Sequence, residues 1–267
     1  MKTLLDIITI TKDDFDGIGA TIRSTKLLRE EYEVRHIIVD SSNNENSQKI
    51  KEELANEKNL DYVWQKPSGI APAFNAGLRE SKANWVWFLN GGDVVHPDIN
   101  SSQLLYLIEN SGADAIIFDT EGMQTHRTLR HPPLWALWPL LKTWIPHPST
   151  ILRRILFDKY GHFDERYSVG MDFEIWFRFF SKAVAVDLVS IPIVLFDETG
   201  ISSSPDFERN IPGKEASKIL RSYFWVLIRK WIRTGISIPF YILYYSNVYL
   251  LFKYPRLKKY LLKFIKS

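Results

Sequence analysis

Apolar positions along the first half of the chain follow two alternating patterns. Short runs rich in β-branched and aromatic residues, each ending at polar residues, predict strands, and the first two of these runs predict buried parallel strands. These runs are Leu4–Ile10, Val34–Val39, Tyr62–Trp64, Trp85–Leu89 and Ala115–Asp119. Segments with helical spacing or helix-forming composition separate them, at Gly17–Glu31, Gln48–Lys58, Ala73–Ser81 and Ile99–Asn110. The alternation of strand and helix predicts a doubly wound α/β sheet flanked by helices.

The second half is less regular. The Pro- and Trp-rich segment His131–Pro148 predicts a loop or short helices over the sheet. After it, the pattern predicts helices at Ser149–Tyr160, Met171–Phe180 and Lys214–Arg233, and strands at Val184–Leu188 and Ile193–Phe196. We therefore expect one α/β domain over residues 1–212 and a helical extension over residues 213–267.

The net charge of +3 conceals an uneven distribution. Residues 213–267 hold 12 Lys and Arg and one acid, which gives +11, and the other residues hold 34 − 12 = 22 basic and 31 − 1 = 30 acidic residues, which gives −8. An acidic body argues against a nucleic-acid partner, whereas a basic, aromatic tail favours an anionic membrane surface.

Within that tail, Thr234–Phe252 is an uncharged run of 19 residues flanked by basic residues. A membrane span needs about 20 apolar residues, and this run contains a proline, an asparagine and several tyrosines. Such a composition favours lying in the membrane interface over crossing it. The alternative is that these aromatic residues pack on the α/β domain.

Two further features bear on location. The chain has no cysteine, which fits a reducing compartment and excludes thiolate chemistry. Asp6 interrupts the amino-terminal apolar run before it reaches the length of a signal peptide. We expect a cytoplasmic protein that associates peripherally with the inner face of the membrane.

Candidate chemistry lies at the ends of two predicted strands. Asn90-Gly91-Gly92-Asp93 places a carboxylate in a glycine-opened turn, which suits a divalent cation and diphosphate oxygens; the alternative is a turn in which Asp93 caps the next helix. Asp40-Ser41-Ser42-Asn43 offers acceptors for a uracil N–H or a ribose, or else forms a helix N-cap cluster.

Three other features are less specific. Asp172 starts a predicted helix, where an ionised carboxylate is favoured and can act as a base, or is an ordinary first-turn acid. His147 is either a catalytic or a packed loop histidine. Gly17–Ile22 fails the dinucleotide-binding fingerprint because Ile22 stands where that motif has Gly or Ala.

Taken together, these features resemble glycosyltransferase family 2 over about Leu5 to Ser204. The segments that carry the resemblance are Ile7–Thr11, Ile37–Ser42, Gln65–Ile70, Ala73–Gly77, Trp87–Asp93, His147–Thr150, Arg153-Arg154, Phe157, Tyr160-Gly161, Phe163–Glu165 and Asp172. The resemblance implies a GT-A (Rossmann-like) mixed sheet. It further implies inverting transfer of a sugar from a nucleotide-sugar, of the UDP class, to a hydroxyl of a saccharide or lipid-linked saccharide, in cell-surface polysaccharide or glycolipid synthesis.

The resemblance also implies roles for individual residues. Asp172 would be the catalytic base, and Asp93 would bind Mg²⁺ or Mn²⁺ from a surface turn, so that Asp93→Ala should leave the fold intact. His147 and Ser149 would lie on the acceptor side. The nucleotide-sugar-binding residues would be Thr9, Thr11, Asp40, Lys66, Asn75, Asn90, Gly91 and Gly92.

The sequence departs from the family pattern at three places. Asn90 stands where the first Asp of the metal-binding Asp-x-Asp often lies, Pro67-Ser68 replaces a frequent acid, and Met171 precedes Asp172 where many members have another acid. A sugar-phosphate nucleotidyltransferase is one competing function, although Thr9–Asp14 lacks the Gly-rich, Arg-containing phosphate loop of that class. A non-catalytic, membrane-bound nucleotide-sugar-binding protein on the same scaffold is the other.

Overall fold

The computed structural model describes residues 3–132, 145–182 and 184–199, together with 215, 218–219 and 221–223. The chain divides into two compact units, Met1–Ser204 and Pro205–Ser267, and the fold below is that of the first. The predicted domain boundary at residue 212 and the run Thr234–Phe252 lie outside the described residues, as does most of Lys214–Arg233. Among the helices that are described, none is long and apolar enough to cross a membrane.

Strands and helices alternate along the first unit. The strands are β1 (Leu5–Thr11), β2 (Val34–Asp40), β3 (Leu60–Trp64), β4 (Trp85–Asn90), β5 (Val94–Val95), β6 (Ala115–Gly122), β7 (Thr128–Leu129), β8 (Thr150–Arg153) and β9 (Val186–Phe196). The helices are α1 (Phe15–Ser24), α2 (Lys26–Glu31), α3 (Asn44–Leu54), α4 (Ile70–Glu80), α5 (Ser101–Asn110), α6 (Ile155–Tyr160) and α7 (Met171–Phe180), and His147–Ser149 forms one 3-10 turn.

Nine strands of the described residues form one mixed sheet in the order β3-β2-β1-β4-β8-β6-β9-β5, with β7 paired to β6. The strands β1 to β4 are parallel. Strand β8 runs antiparallel between β4 and β6, and β6 is parallel to β9. The five strands predicted for the first half are confirmed, and so is the mixed, helix-flanked sheet.

Helices cover both faces of the parallel strands. Ile7 belongs to a core cluster that includes α5 residues, whereas the neighbouring Ile8 faces Gly77 of α4. A methyl group on Gly77 would collide with Ile8, so glycine at this position lets α4 approach the sheet closely. Burial on both faces explains why these strands are near-continuous apolar runs.

Three predicted elements differ in the structure. The helix predicted over Ser149–Tyr160 is wrong in its first half, because Thr150–Arg153 is inserted as β8 between two strands that supply its backbone partners. The single helix Gly17–Glu31 is two helices, broken at Thr25, whose hydroxyl bonds the Ile22 carbonyl at 3.0 Å. The two strands predicted after residue 184 are one strand, β9, which accommodates Pro192 at a register shift opposite Asp119.

Candidate active site

The carboxyl ends of the parallel strands meet at one edge of the sheet. Thr11 of β1 pairs with Asp40 of β2, Asp40 pairs with Trp64 of β3, and Ile10 pairs with Asn90 of β4. The structure therefore brings Thr11, Asp40 and Asn90 together, which is the position where open α/β sheets bind ligands. Trp64 also lies at this edge, and its large side chain is 46% exposed. The sequence analysis did not single out this residue.

Asp40 is fully buried in a ring of donors. One carboxylate oxygen accepts from the Ser42 backbone N–H at 2.8 Å, and the other accepts from the Ser47 hydroxyl at 2.7 Å and the Tyr62 hydroxyl at 2.6 Å. Burial, followed by the bond to Asp40, raises the pKa of Tyr62, so that its hydroxyl stays a donor. The carboxylate is thus held in one orientation at the end of β2.

The loop after β1 is tied to the loop after β2 through Asp13. The Asp13 carboxylate accepts from the backbone N–H of Asn43 at 3.0 Å and from the side-chain amides of Asn43 and Asn46 at 2.9 and 3.0 Å. Bonds from Asn46 and Asn43 lower the pKa of Asp13. Asn43 also caps α3, since its side chain accepts from the Asn46 N–H at 3.0 Å. The N-cap interpretation therefore applies to Asn43, whereas Asp40 orders the loop.

The two predicted nucleotide-binding threonines of β1 are placed differently. The Thr9 hydroxyl is fully buried and hydrogen-bonds the His36 ring at 2.7 Å. Burial lowers the pKa of His36 to about 3, so this histidine is neutral. The Thr9 hydroxyl therefore bonds inside the fold, and its burial leaves it inaccessible to a nucleotide in this structure. Thr11 lies at the strand end, close to Gly91, and stays at the candidate site.

The turn after β4 is held together by the buried carboxylate of Asp93. One oxygen accepts from the backbone and side-chain N–H groups of Asn90 at 3.0 and 3.3 Å, and the other accepts from the Asp197 N–H at 3.1 Å. Asp93 is 1% exposed, and this burial raises its pKa to about 6. The expectation of a surface turn is wrong. So is the helix-capping alternative, because Asn100 caps α5.

The glycines of this turn are needed for its shape. Gly92 has φ of +100°, a conformation that favours glycine. A side chain at Gly91 would press on the Thr11 hydroxyl, which is 3.3 Å from the position of its first carbon. Both glycines therefore let the turn lie against the end of β1.

Asp197, directly after β9, is a carboxylate that the sequence analysis missed. A side-chain carbon on Gly92 would lie 3.0 Å from one of its oxygens, and the Asp197 charge contributes to the raised pKa of Asp93. Burial raises the pKa of Asp197, but bonds from Thr199 and Gln124 outweigh it and lower the pKa overall. No group of three or more His, Asp or Glu that could hold a metal occurs among the described residues. Two neighbouring carboxylates nevertheless fit Mg²⁺ or Mn²⁺, because such ions take one or two carboxylates and complete their shell with substrate phosphates and water.

Two predicted donor-side residues lie outside the paired strand ends, Asn75 on α4 and Lys66 in the loop that follows β3. The Asn75 amide donates to the Phe163 carbonyl and to Glu165, both at 2.9 Å, and accepts from the Phe163 N–H at 2.9 Å. Asn75 therefore joins α4 to the segment before α7 and has little capacity left for a nucleotide. Lys66 is exposed in the loop between β3 and α4.

Asp172 lies in the first turn of α7 and is partly exposed. The surrounding protein removes much of its water and raises its pKa to about 6, although the Phe173 N–H donates to it at 2.6 Å. The helix is anchored by the ion pair of Glu174 and Arg178, at 2.8 Å. Arg178 also donates to the Tyr160 and His162 carbonyls at 2.8 and 2.6 Å. Asp172 thus sits on a fixed helix, and its pKa lies closer to neutral than that of an ordinary carboxyl group.

His147 and Ser149 form the 3-10 turn before β8, and both are buried. The His147 ring stacks on Phe88 of β4 with ring centroids 5.6 Å apart, and lies 5.8 Å from the ring of Trp176 on α7. This turn therefore connects the central strand of the sheet with the helix that carries Asp172.

Comparison with known proteins agrees with this arrangement. The family model for Glycosyl transferase family 2 matches residues 6–176, more than half of the chain. An uncharacterized glycosyltransferase of Mycobacterium tuberculosis (strain H37Rv) is 26% identical over 208 residues, covering 74% of this chain and 77% of the relative. An uncharacterized glycosyltransferase of Rickettsia prowazekii is 26% identical over 131 residues, and there the match covers 45% of this chain and 41% of the relative.

Solved structures share the fold. TarS 1-349 of Staphylococcus aureus in complex with UDP-GlcNAc superposes with a TM-score of 0.62 at 17% identity, over 82% of this chain and 67% of that one. In another crystal structure of TarS 1-349, the match covers 82% of this chain and 66% of the TarS chain. A mannosyltransferase of Pyrobaculum calidifontis in complex with GDP-Man and Mn²⁺ superposes with a TM-score of 0.56 at 13% identity, over 97% of this chain and 83% of that one.

The sheet order, the flanking helices and these superpositions define the first unit as a GT-A fold. The family match then places the protein in a narrower class. The chain belongs to glycosyltransferase family 2.

Proposed function

We propose that the protein transfers a sugar from a UDP-sugar to a hydroxyl of a saccharide or lipid-linked saccharide acceptor, with inversion at the anomeric carbon. The observation that carries this proposal is the position and the raised pKa of the Asp172 carboxylate. It is the partly exposed carboxylate of the first turn of α7, within the part of the chain that matches the family, and its pKa is raised to about 6. A group with this pKa is mostly ionised at neutral pH and still basic enough to accept a proton.

The reaction is a single displacement. Asp172 accepts the proton of the acceptor hydroxyl, the oxygen attacks the anomeric carbon from the face opposite the nucleotide, and the bond from that carbon to the diphosphate oxygen breaks. The nucleoside diphosphate leaves with the electron pair of that bond. Asp93 and Asp197 would hold Mg²⁺ or Mn²⁺, which neutralises the charge of a leaving diphosphate.

The donor class rests on the strand edge. Asp40, bonded to Tyr62 and Ser47, is fully buried and orders the strand end beside Trp64. The exposed aromatic face of Trp64 suits stacking of a nucleobase. TarS has been solved with UDP and with UDP-GlcNAc, which supports a UDP-sugar. GDP-mannose, present in the mannosyltransferase structure, is the competing donor to include in a test.

The test is a thermal-shift panel of UDP-, GDP- and dTDP-sugars with and without Mn²⁺, followed by donor hydrolysis with the ligands that bind. A ligand that binds only the folded state raises the unfolding temperature by mass action, by the equivalent of about 2.7 kcal/mol at a hundredfold excess over Kd. We expect UDP-sugars with Mn²⁺ to give the largest shift. Binding without any hydrolysis or transfer would favour a non-catalytic binding protein, and binding of nucleoside triphosphates with sugar phosphates would favour a nucleotidyltransferase.

We further propose that residues 213–267 hold the enzyme at the inner face of the membrane, beside a lipid-linked acceptor. The support is the +11 charge of this segment against −8 for the remainder, from 12 basic residues and one acid. Each basic residue near an anionic surface contributes roughly 1 kcal/mol, and this contribution weakens with salt.

A further inference from the structure

Three buried polar side chains at the junction of the 3-10 turn and α7 lack hydrogen-bond partners. Both ring nitrogens of His147, the Ser149 hydroxyl and the Trp176 indole N–H have none among the residues that the structure describes. The three residues are 8%, 0% and 2% exposed, respectively. The cluster therefore combines burial with unmet hydrogen-bonding capacity.

Such a cluster is unfavourable in the free protein. Nearly all buried polar atoms in folded proteins are paired, and an unpaired one loses its hydration without compensation. The surroundings are aromatic, since Phe74, Phe88 and Phe163 contact the His147 ring with centroids 5.4 to 5.9 Å away. Apolar side chains in place of the polar ones would pack at these positions without that loss. Stability therefore does not explain why these positions carry polar side chains.

The chemistry of the cluster selects a neutral ligand. Burial lowers the pKa of His147 to about 4, so at neutral pH its ring offers one donor and one acceptor. Ser149 can donate and accept, and the Trp176 indole only donates. An anion would also be repelled by the Asp172 carboxylate on the same helix, and a charged ligand of either sign would lose its hydration in this buried cluster, which contains no charge to compensate it. A hydroxyl group, which both donates and accepts, matches this set.

The cluster lies next to the proposed base. Trp176 follows Asp172 by four residues on α7, so both lie on one face of the helix. Side chains on a helix lean toward its amino terminus, which directs the indole over the turn that carries Asp172. A sugar bound at the partly exposed Asp172 would therefore lie along the helix face that carries Trp176.

We propose that His147, Ser149 and Trp176 form a subsite that hydrogen-bonds a hydroxyl of the reacting sugars, with Trp176 as a positioning residue. This inference rests on the proposed function. The hydroxyl belongs either to the transferred sugar or to the acceptor, and the arms of the experiment separate these two sources.

The test uses the full chain with two minimal variants, Ser149→Ala and Trp176→Phe, which remove a hydroxyl and an indole N–H while preserving most of the packing. Matched controls come from neighbouring residues whose polar groups are paired. The Trp87 indole donates to the Pro148 carbonyl at 2.6 Å, and the Thr150 hydroxyl donates to the Pro146 carbonyl at 2.7 Å. Trp87→Phe should lower the unfolding temperature of the free protein, because it removes the indole donor of the buried Pro148 carbonyl. Thr150→Val should lower it less, because the Pro146 carbonyl loses one donor but keeps the Ser149 N–H at 3.1 Å.

For the test variants we expect opposite effects on stability and on activity. Their unfolding temperatures should equal or exceed that of the wild type, while kcat/KM falls roughly 3- to 10-fold, as for loss of one hydrogen bond to a substrate. The first arm measures by calorimetry the affinity for UDP and for the UDP-sugar that binds the wild type. A lower affinity for the UDP-sugar with an unchanged affinity for UDP assigns the hydroxyl to the donor sugar. The second arm measures KM for methyl hexosides as surrogate acceptors, and a raised acceptor KM with unchanged donor Kd assigns it to the acceptor.

Several results would overturn the proposal. Test variants that are more stable and react as fast as the wild type would show that the cluster holds only internal water. Parallel loss of stability and activity, as in the matched controls, would show a packing role. Failure of the proposed function is seen separately, because the wild type itself would then neither bind nor hydrolyse a nucleotide-sugar.

Discussion

Transfer should decline as the pH falls through about 6, because Asp172 must be ionised to accept the acceptor proton. The pKa of Asp172 is raised to about 6 by burial, so about 90% of the enzyme has the ionised base at pH 7 and about 10% at pH 5. The rate should therefore fall about tenfold between these values. Asp172→Asn should lose on the order of 10²- to 10⁴-fold at pH 7, because the amide cannot accept the proton.

The same burial predicts an effect on stability with the opposite sign. A carboxylate whose folded-state pKa lies above its unfolded value stabilises the fold when protonated, and that contribution is lost as the pH rises through about 6. The full difference from the ordinary value corresponds to at most about 3 kcal/mol, less the screening that partial exposure allows. Asp172→Asn should thus be more stable than the wild type at pH 8 and similar to it below pH 4.

The assay measures kcat/KM for transfer, or for donor hydrolysis where the acceptor is unknown, from pH 5 to 8. Asp93 also has a pKa raised to about 6, so binding of UDP with Mn²⁺ is measured over the same range to separate donor binding from proton transfer. The matched control is Asp158→Asn, which changes a carboxylate on α6 that forms an ion pair with Arg154. This variant should retain the pH profile of the wild type. Activity of Asp172→Asn within about tenfold of the wild type, or a profile without an inflection between pH 5 and 7, would refute the assignment.

Three further outcomes are expected. Asp93→Ala should weaken binding of UDP with Mn²⁺ and also lower the unfolding temperature, because the Asn90 and Asp197 N–H groups lose their acceptor. Each lost acceptor costs about 1–3 kcal/mol, and removal of a buried carboxylate offsets part of this cost. Unchanged affinity in calorimetry would remove Asp93 from the site. Tyr62→Phe should cost about 1.5–3 kcal/mol in chemical denaturation and weaken UDP binding, because Asp40 loses a donor at 2.6 Å; a variant equal to the wild type in both measurements would show that this bond does not order the site. The full chain should float with anionic liposomes in a salt-sensitive way and a truncation after Pro212 should not; equal flotation of both would assign residues 213–267 to another role.

The local sequence predicted much of the sheet and the polar residues that stand at its strand ends. Apolar runs such as Ile7-Ile8 and Trp85–Leu89 are buried on both faces, so their composition alone marked them as central strands. Strand β8 was mistaken for helix because Thr150–Arg153 is short and fits either structure. Residues Thr150–Arg153 form a strand because they lie between β4 and β6, which supply their backbone hydrogen bonds.

At the site, strand order determined which polar residues meet, and the sequence was sufficient to bring Thr11, Asp40 and Asn90 to one edge. Only the tertiary structure decided which polar atoms remain available there. Thr9 is bonded to His36, and Asn75 to Phe163 and Glu165, whereas a backbone N–H that lies 104 positions away orients the Asp93 carboxylate. The pairing of Asp93 with Asp197 and the unpartnered cluster at Trp176 likewise join segments far apart in the chain. Periodicity reports which face of an element is buried, but hydrogen-bond partners across such distances depend on how the elements pack.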